Sequence, residues 1–278
     1  QARHLACRKE QGMKDMLSEK EMNDMEDKIL GNEDNRYDIY QIKHGSKGEA
    51  YQFWGMSYVE EKGLSVDASD YNICYVCEWK GESLDDIFTK FNVDRPEDFK
   101  GHSLSVSDVI VTRKDGNLEA YYVDSFGFAE LPDFVEQLAR NAFFNEHKGI
   151  PYHSSYTGET MVAIDIQQYM DTGNLYIGLG CFEDGYPEPF GDLTVNLGDV
   201  TPNYCSYVDV NNMPNAEKFI KDNGLGSFTG FVKRSGYVEY PLYMFEPDKL
   251  REVCPDGLAL YEKSKGIQVN VQDKKEKR

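Results

Sequence analysis

The densest group of side chains able to carry acid–base or nucleophilic chemistry lies between residues 101 and 125. It contains one histidine, several serines and two carboxylates, in the order His102, Ser103, Ser105, Ser107, Asp108, Asp124 and Ser125. A hydrolase would need the histidine bonded to a serine hydroxyl and oriented by a carboxylate. The Gly-x-Ser-x-Gly turn that presents the nucleophile in many hydrolases does not occur in the sequence.

A structural interpretation of these residues is simpler. If residues 104–112 form a strand, Ser105 and Ser107 lie on one face and Asp108 lies on the other. Serine and aspartate also bond to the backbone where strands begin and end. We therefore expect no catalytic residue, and His102, Asp108 and Asp124 are the residues on which an enzymatic alternative would depend.

Cys74 and Cys77 have the spacing of a zinc knuckle or a redox pair, but they lie in a run that alternates like a strand. Residues three apart in a strand point to opposite faces, so the two thiols would not share a metal. The segments 178–180 and 224–226 are Gly-Leu-Gly and lack the remaining glycines and the lysine of nucleotide-binding loops. We expect neither a metal nor a cofactor.

Charge and composition restrict the class of protein. The 278 residues include 49 Asp and Glu against 30 Lys and Arg, a formal charge of −19, which predicts repulsion from nucleic acid. The six cysteines are too few and too irregularly spaced for a disulfide framework. No secretory signal and no run of about 18 apolar residues is found. These features predict a cytoplasmic protein without a membrane segment.

Periodicity predicts the elements of a first domain. Residues 37–42 alternate with a period of two, and the nearly continuous apolar run at 71–79 predicts a strand buried on both faces and central in its sheet. Ser83 and Asp86 form a capping box before a short helix with one apolar stripe, made of Leu84, Ile87, Phe88 and Phe91. Alternating runs at 104–112 and 118–124 flank Asp115-Gly116 and predict a hairpin.

A second set of elements follows a helix that begins at Pro132. It comprises a hairpin over 161–182, strands at 192–197, 204–210, 227–234 and 237–245, and short helices at 214–222 and 247–253. The predicted fold class is α+β, with two small domains, each a mainly antiparallel sheet with short packing helices. The expected divisions are a helical arm or the end of a preceding domain at 1–36, a first domain at 37–134, a helix and linker at 135–153, a second domain at 154–263 and a disordered charged tail at 264–278.

Two parts of the sequence resemble known families. The segments SLDDIFTKFN (83–92), RPEDFKGHSLSVSDVI (95–110) and YVDSFGF (122–128) resemble the YodL-like domain family over about 37–134. The segments FGDLTVNL (190–197), DVNN (209–212), GLG (224–226), SGY (235–237) and YPLY (240–243) are similar to a second small family of unknown function over about 157–263. The resemblance implies a setting in conjugative and integrative elements of Clostridia, often inside longer polyproteins, and it implies no chemistry.

We therefore expect a non-enzymatic accessory or interaction protein of a bacterial conjugative element. Its partner would be a protein, for example one of host defence or of element transfer, contacted through residues such as Phe88, Asn196, Asn211 and Asn212. One alternative is an acidic inhibitor of host defence that mimics DNA, although the acids are interleaved with lysines. The other is an enzyme with a site centred on His102 and Asp108.

Overall fold

The computed structural model describes residues 35–154 and 158–268. Residues 1–34 of the expected helical arm and residues 269–278 of the expected tail lie outside this range. The chain divides into two compact units between Ala142 and Phe143. Both units combine antiparallel sheets with a few helices, which confirms the α+β prediction.

The first unit is built on one five-stranded antiparallel sheet with the order β2-β1-β3-β4-β5. Its strands are β1 (Arg36–Ile42), β2 (Tyr71–Glu78), β3 (Val109–Lys114), β4 (Asn117–Val123) and β5 (Phe128–Glu130). The accompanying helices are α1 (Met56–Glu61), α2 (Leu84–Val93) and α3 (Pro132–His147), with 3-10 turns at Lys47–Tyr51 and Ala68–Asp70.

Both faces of this sheet are covered by helices. On one face, Tyr37 of β1 packs edge-on against Phe91 of α2, with ring centroids 6.2 Å apart. On the other face, Tyr40 packs edge-on against Phe134 of α3 at 5.7 Å. The predicted capping box before α2 is formed, and the predicted apolar stripe faces the sheet, with Ile87 and Phe91 fully buried.

The position predicted for β2 is wrong. The strand lies at the edge of the sheet, beside β1 alone, and not at its centre. Its apolar residues are accounted for by the helical layers on both faces, because Ile73 joins the core on one face while Tyr75 packs against Phe91 on the other. An apolar run indicates that both faces of a strand are covered by other elements of the protein. It does not indicate whether the strand has a hydrogen-bonded neighbour on one edge or on both.

The second unit contains two four-stranded antiparallel sheets, with the orders β6-β7-β8-β9 and β10-β11-β13-β12. Their strands are β6 (Ile150–Ser154), β7 (Gly158–Gln168), β8 (Leu175–Glu183), β9 (Tyr186–Asp192), β10 (Thr194–Val195), β11 (Cys205–Val208), β12 (Gly226–Ser235) and β13 (Val238–Phe245). Three helices complete the unit: α4 (Ala216–Asp222), α5 (Pro247–Val253) and α6 (Pro255–Ser264).

Strands β6 and β9 and helix α6 were not predicted, and β6 occupies residues that were expected to form the linker. Strand β9 contains Pro187 and Pro189, which lack the N–H that a central strand needs, and it accordingly lies at the edge of its sheet. Helix α6 packs on β7 through Gly257, where a Cβ would lie 2.8 Å from the carbonyl oxygen of Ile166. Glycine has a low helix propensity, and Gly257 follows directly after Pro255 and Asp256, so the sequence of α6 does not predict a helix.

Truncating Phe91 to alanine should lower the free energy of unfolding by about 3–5 kcal/mol, because it removes a fully buried ring and leaves a cavity between α2 and the sheet. Val93, on the same helix, is 81% exposed, so Val93→Ala should cost less than about 0.5 kcal/mol. Denaturant titration of both variants measures the contrast. Equal losses would mean that α2 does not pack as described.

Candidate functional site

Residues 105–108 form a turn, closed by the bond from the Asp108 N–H to the Ser105 carbonyl, so the strand predicted from residue 104 is wrong over residues 104–108. Strand β3 begins only at Val109. The carboxylate of Asp108 accepts the N–H of Ser105 at 2.8 Å, and Ser107 has a φ of 81°. A side chain that accepts a hydrogen bond from the backbone three residues earlier competes with the hydrogen bonds of a strand. The alternation of side chains therefore continues through residues 104–108 although these residues do not form a strand.

Gln41, at the end of β1, holds His102 in place. Its Oε1 accepts the N–H of His102 at 3.0 Å, and its Nε2 lies 2.9 Å from both the His102 carbonyl oxygen and Asp108 Oδ2. Gly101 makes this clamp possible, because a Cβ at that position would collide with Gln41 Oε1. The clamp was not predicted, because it joins residues 61 positions apart.

His102 and Asp108 come together without a direct hydrogen bond between their side chains. The distance from His102 Nδ1 to Asp108 Oδ2 is 3.7 Å, too long for a hydrogen bond. Nδ1 instead lies 2.8 Å from the carbonyl oxygen of Ser103. Asp108 is buried, and the cost of burying its charge raises its pKa to about 8, against the lowering effect of its bonds from Ser105 and Gln41. Among the described residues, the imidazole bonds to an amide and a carbonyl, not to a nucleophile it could activate.

An exposed aromatic loop, residues 52–55, lies beside His102. The side chains of Phe53 and Trp54 are 60% and 54% exposed. The ring of Phe53 is 6.0 Å from the imidazole of His102, and Trp54 stacks on Tyr58 of α1 at 4.5 Å. Two adjacent aromatic residues before a glycine, outside any periodic run, are the sequence signal that would have identified this loop.

The aromatic loop is strained at Phe53 and strongly held. Phe53 has a φ of 67°, in the left-handed region that a bulky residue rarely adopts. Its N–H donates to Ser107 Oγ at 3.0 Å. Trp54 is fixed on both sides, since its N–H donates to the Tyr51 carbonyl at 3.0 Å and its carbonyl accepts from the Tyr122 hydroxyl at 2.6 Å. Strained conformations of this kind persist only where the surroundings determine them, and they concentrate at functional sites.

Asp124 anchors the other end of this loop. Its Oδ1 accepts the N–H of Met56, at the start of α1, at 3.0 Å, and the N–H of Ser125 at 2.6 Å. Gly55 packs against the same two residues so closely that a Cβ would collide with Asp124 Oδ1 and Ser125 Oγ. The structure therefore shows Asp124 supporting the aromatic loop.

The residues expected to make partner contacts lie elsewhere and have structural partners. Phe88 is half-buried against the core beneath α2. Asn196 donates to Asp171 Oδ1 at 2.6 Å and accepts from Gly198 N–H. Asn212 donates twice to the carboxylate of Asp209 and accepts from Asn211 at 3.3 Å. These asparagines hold turns together.

Comparison with known families agrees with the division of the chain. The model of the YodL-like domain matches residues 36–134, the part that contains the clamp and the aromatic loop. Residues 36–134, the YodL-like domain of this chain, are similar to that family over their whole length. Residues 163–265 match a domain of unknown function (DUF4313). No curated protein and no solved structure matches the chain.

No helix within residues 35–154 and 158–268 has the length and apolar character of a membrane-spanning segment. Within the same ranges, His, Cys, Asp and Glu side chains do not gather in groups of three or more that would hold a metal ion. Cys74 is half-buried in β2, and burial raises its pKa to about 12.

Replacing Phe53 by glycine should not destabilise the YodL-like domain and should raise the free energy of unfolding by up to about 1 kcal/mol. Glycine adopts a positive φ without steric cost, and the lost ring is mostly exposed. Phe53→Ala keeps the strain and serves as the control, so it should be less stable than Phe53→Gly. Chemical denaturation compares the two, and a loss above about 1 kcal/mol in Phe53→Gly would show that the ring supports the fold.

Asp108 should make the protein less stable as the pH rises. Its folded pKa of about 8 lies above the unfolded value of 3.8, so the folded state binds more protons between these values. The stabilisation is complete below about pH 4 and is lost as the pH rises towards 8, with a slope of at most about 1.4 kcal/mol per pH unit. Asp108→Asn keeps an acceptor for Ser105 and Gln41 and should flatten this slope.

The slope that remains in Asp108→Asn should belong to Asp38, whose carboxylate is also buried and has its pKa raised to about 8 by burial, despite Arg36 and Arg113 nearby. Denaturant titrations at several pH values test this, with the double variant Asp38→Asn, Asp108→Asn as the comparison. An unchanged slope in Asp108→Asn would show that this carboxyl is ionised in the folded protein.

Proposed function

We propose that this chain is a non-enzymatic interaction protein of a bacterial mobile genetic element, and that its YodL-like domain binds a partner protein through Phe53 and Trp54. The observation that carries the proposal is the strained and anchored aromatic loop. A chain gains nothing in stability by holding a phenylalanine at a φ of 67° with most of its ring in water. The mobile-element setting and a cytoplasmic location rest on the resemblance and the composition.

The properties of the loop favour a protein partner. Tryptophan and other aromatic residues supply much of the energy in protein interfaces, and a preformed loop avoids the entropy cost of ordering them on binding. Small-molecule sites enclose their ligand, whereas both rings here are more than half exposed. The formal charge of −19 opposes binding to nucleic acid.

The charge next to the loop also fits a protein partner. Trp54 stacks on Tyr58, and the ammonium group of Lys62 lies 5.7 Å from the centre of the Tyr58 ring. His102, 41% exposed at its side chain, borders Phe53 on the other side. The patch therefore has an aromatic centre and a polar rim, which is the usual composition of a protein interface.

Pull-down from cells that carry the element, followed by binding measurements with the purified partner, tests the proposal. Trp54→Ala should weaken binding by about 30-fold or more, the effect expected of an interface hot spot. Phe53→Gly should weaken binding without loss of stability. Val93→Ala removes an exposed apolar side chain from the same domain and should bind like the unchanged chain.

Other outcomes would favour the alternatives. A partner retained by Trp54→Ala and Phe53→Gly would contradict the proposed surface. If that partner were a DNA-binding protein released by moderate salt, the DNA-mimic interpretation would be supported. If an activity were found and lost in His102→Ala alone, the chain would be an enzyme.

A further inference from the structure

Strand β12 of the second domain is an exposed edge with apolar side chains on both of its faces. It pairs only with β13, and it is the last strand of its sheet. Phe231 and Val232 are 70% and 55% exposed. Phe228, Tyr237 at the turn and Met244 on β13 are also about half exposed or more.

Cross-strand register places exposed apolar side chains on both faces of the sheet. Phe228 and Val232, which lie opposite Tyr243 and Pro241, are on one face, and Met244, opposite Ser227, is on the other. Phe231 lies in the bulge between Phe228 and Val232, at which Gly230 has a φ of 90°. A partner that packs against one face of a sheet would cover apolar side chains on that face alone. A strand that pairs with the edge of the sheet carries side chains on both of its faces, so it can contact the apolar side chains on both faces of β12 and β13.

Charge, one of the usual protections of an edge strand, is weak here, and the bulge is confined to residues 229–231, before the regularly paired residues 232–235. Charged side chains commonly prevent edge strands from pairing with another chain. The lysine of β12, Lys233, donates to Asp199 Oδ2 and to the Leu197 carbonyl within its own domain. Arg234 aligns with Glu239 of β13. The edge therefore carries little net charge, although the chain as a whole has a formal charge of −19.

We propose that two copies of this chain associate by antiparallel pairing of β12 with β12. A two-fold axis lets one patch serve both copies, so no second matching edge is needed. The exposed parts of the five apolar side chains amount to roughly 600 Å² per copy, from typical areas of large side chains. Complete burial of these parts in both copies would remove about 1,200 Å² from solvent, the lower limit for a specific interface.

Light scattering and sedimentation of the full chain test this pairing. The unchanged chain should show twice the 31.8 kDa mass of one copy at high concentration and dissociate on dilution. Phe231→Lys and Val232→Lys each place a new charge on the edge and should give the single mass at every concentration. Val200→Lys, at a 76% exposed valine outside β12, is the matched control and should leave the doubled mass unchanged.

Amide hydrogen exchange of the unchanged chain gives a second measure that does not depend on the variants. Residues 231–235 should be protected at high concentration and exchange faster on dilution. A single mass for the unchanged chain at all concentrations would overturn the proposal. So would a doubled mass that survives both lysine substitutions, or a monomer that instead pairs β12 with a strand of another protein.

Discussion

Ser107 connects three parts of the YodL-like domain through one residue with a left-handed backbone. Its N–H donates to the Val123 carbonyl at the end of β4, its carbonyl accepts from the buried Tyr71 hydroxyl, and its Oγ accepts the N–H of Phe53. Each bond fixes a different segment, so together they offset the cost of the positive φ. Ser107 therefore anchors the end of the β3–β4 hairpin, the buried Tyr71 and the aromatic loop at once.

The elements that depend on local signals could be predicted from the sequence. The capping box of Ser83 and the Asp115-Gly116 turn are decided within a few residues, and both form as expected. The order of the strands could not be predicted, because apolar periodicity reports which faces are covered and not which strands are adjacent. Strand β2 shows this directly, with an apolar sequence at the edge of its sheet.

The candidate site was harder to predict than the fold. The sequence drew attention to His102 and Asp108, which the structure does bring together, through a glutamine 61 residues from the histidine. It did not indicate Phe53 or Trp54, because a loop has no period and an aromatic residue is usually buried. What distinguishes Phe53 is its backbone conformation, and long-range bonds to Ser107 and neighbouring strands determine that conformation.

Gly55 limits how the aromatic loop can change. Its φ of −74° and ψ of 167° are open to any amino acid, so the requirement for glycine there is one of space and not of conformation. Even a methyl group would push the loop away from Asp124. The side chains at positions 53 and 54 are more than half exposed and meet no such limit of space, although the positive φ at position 53 still disfavours β-branched residues. In the proposed interaction, partner preference would therefore depend on two adjacent side chains on a fixed support, which makes the loop a suitable place to redesign specificity without rebuilding the domain.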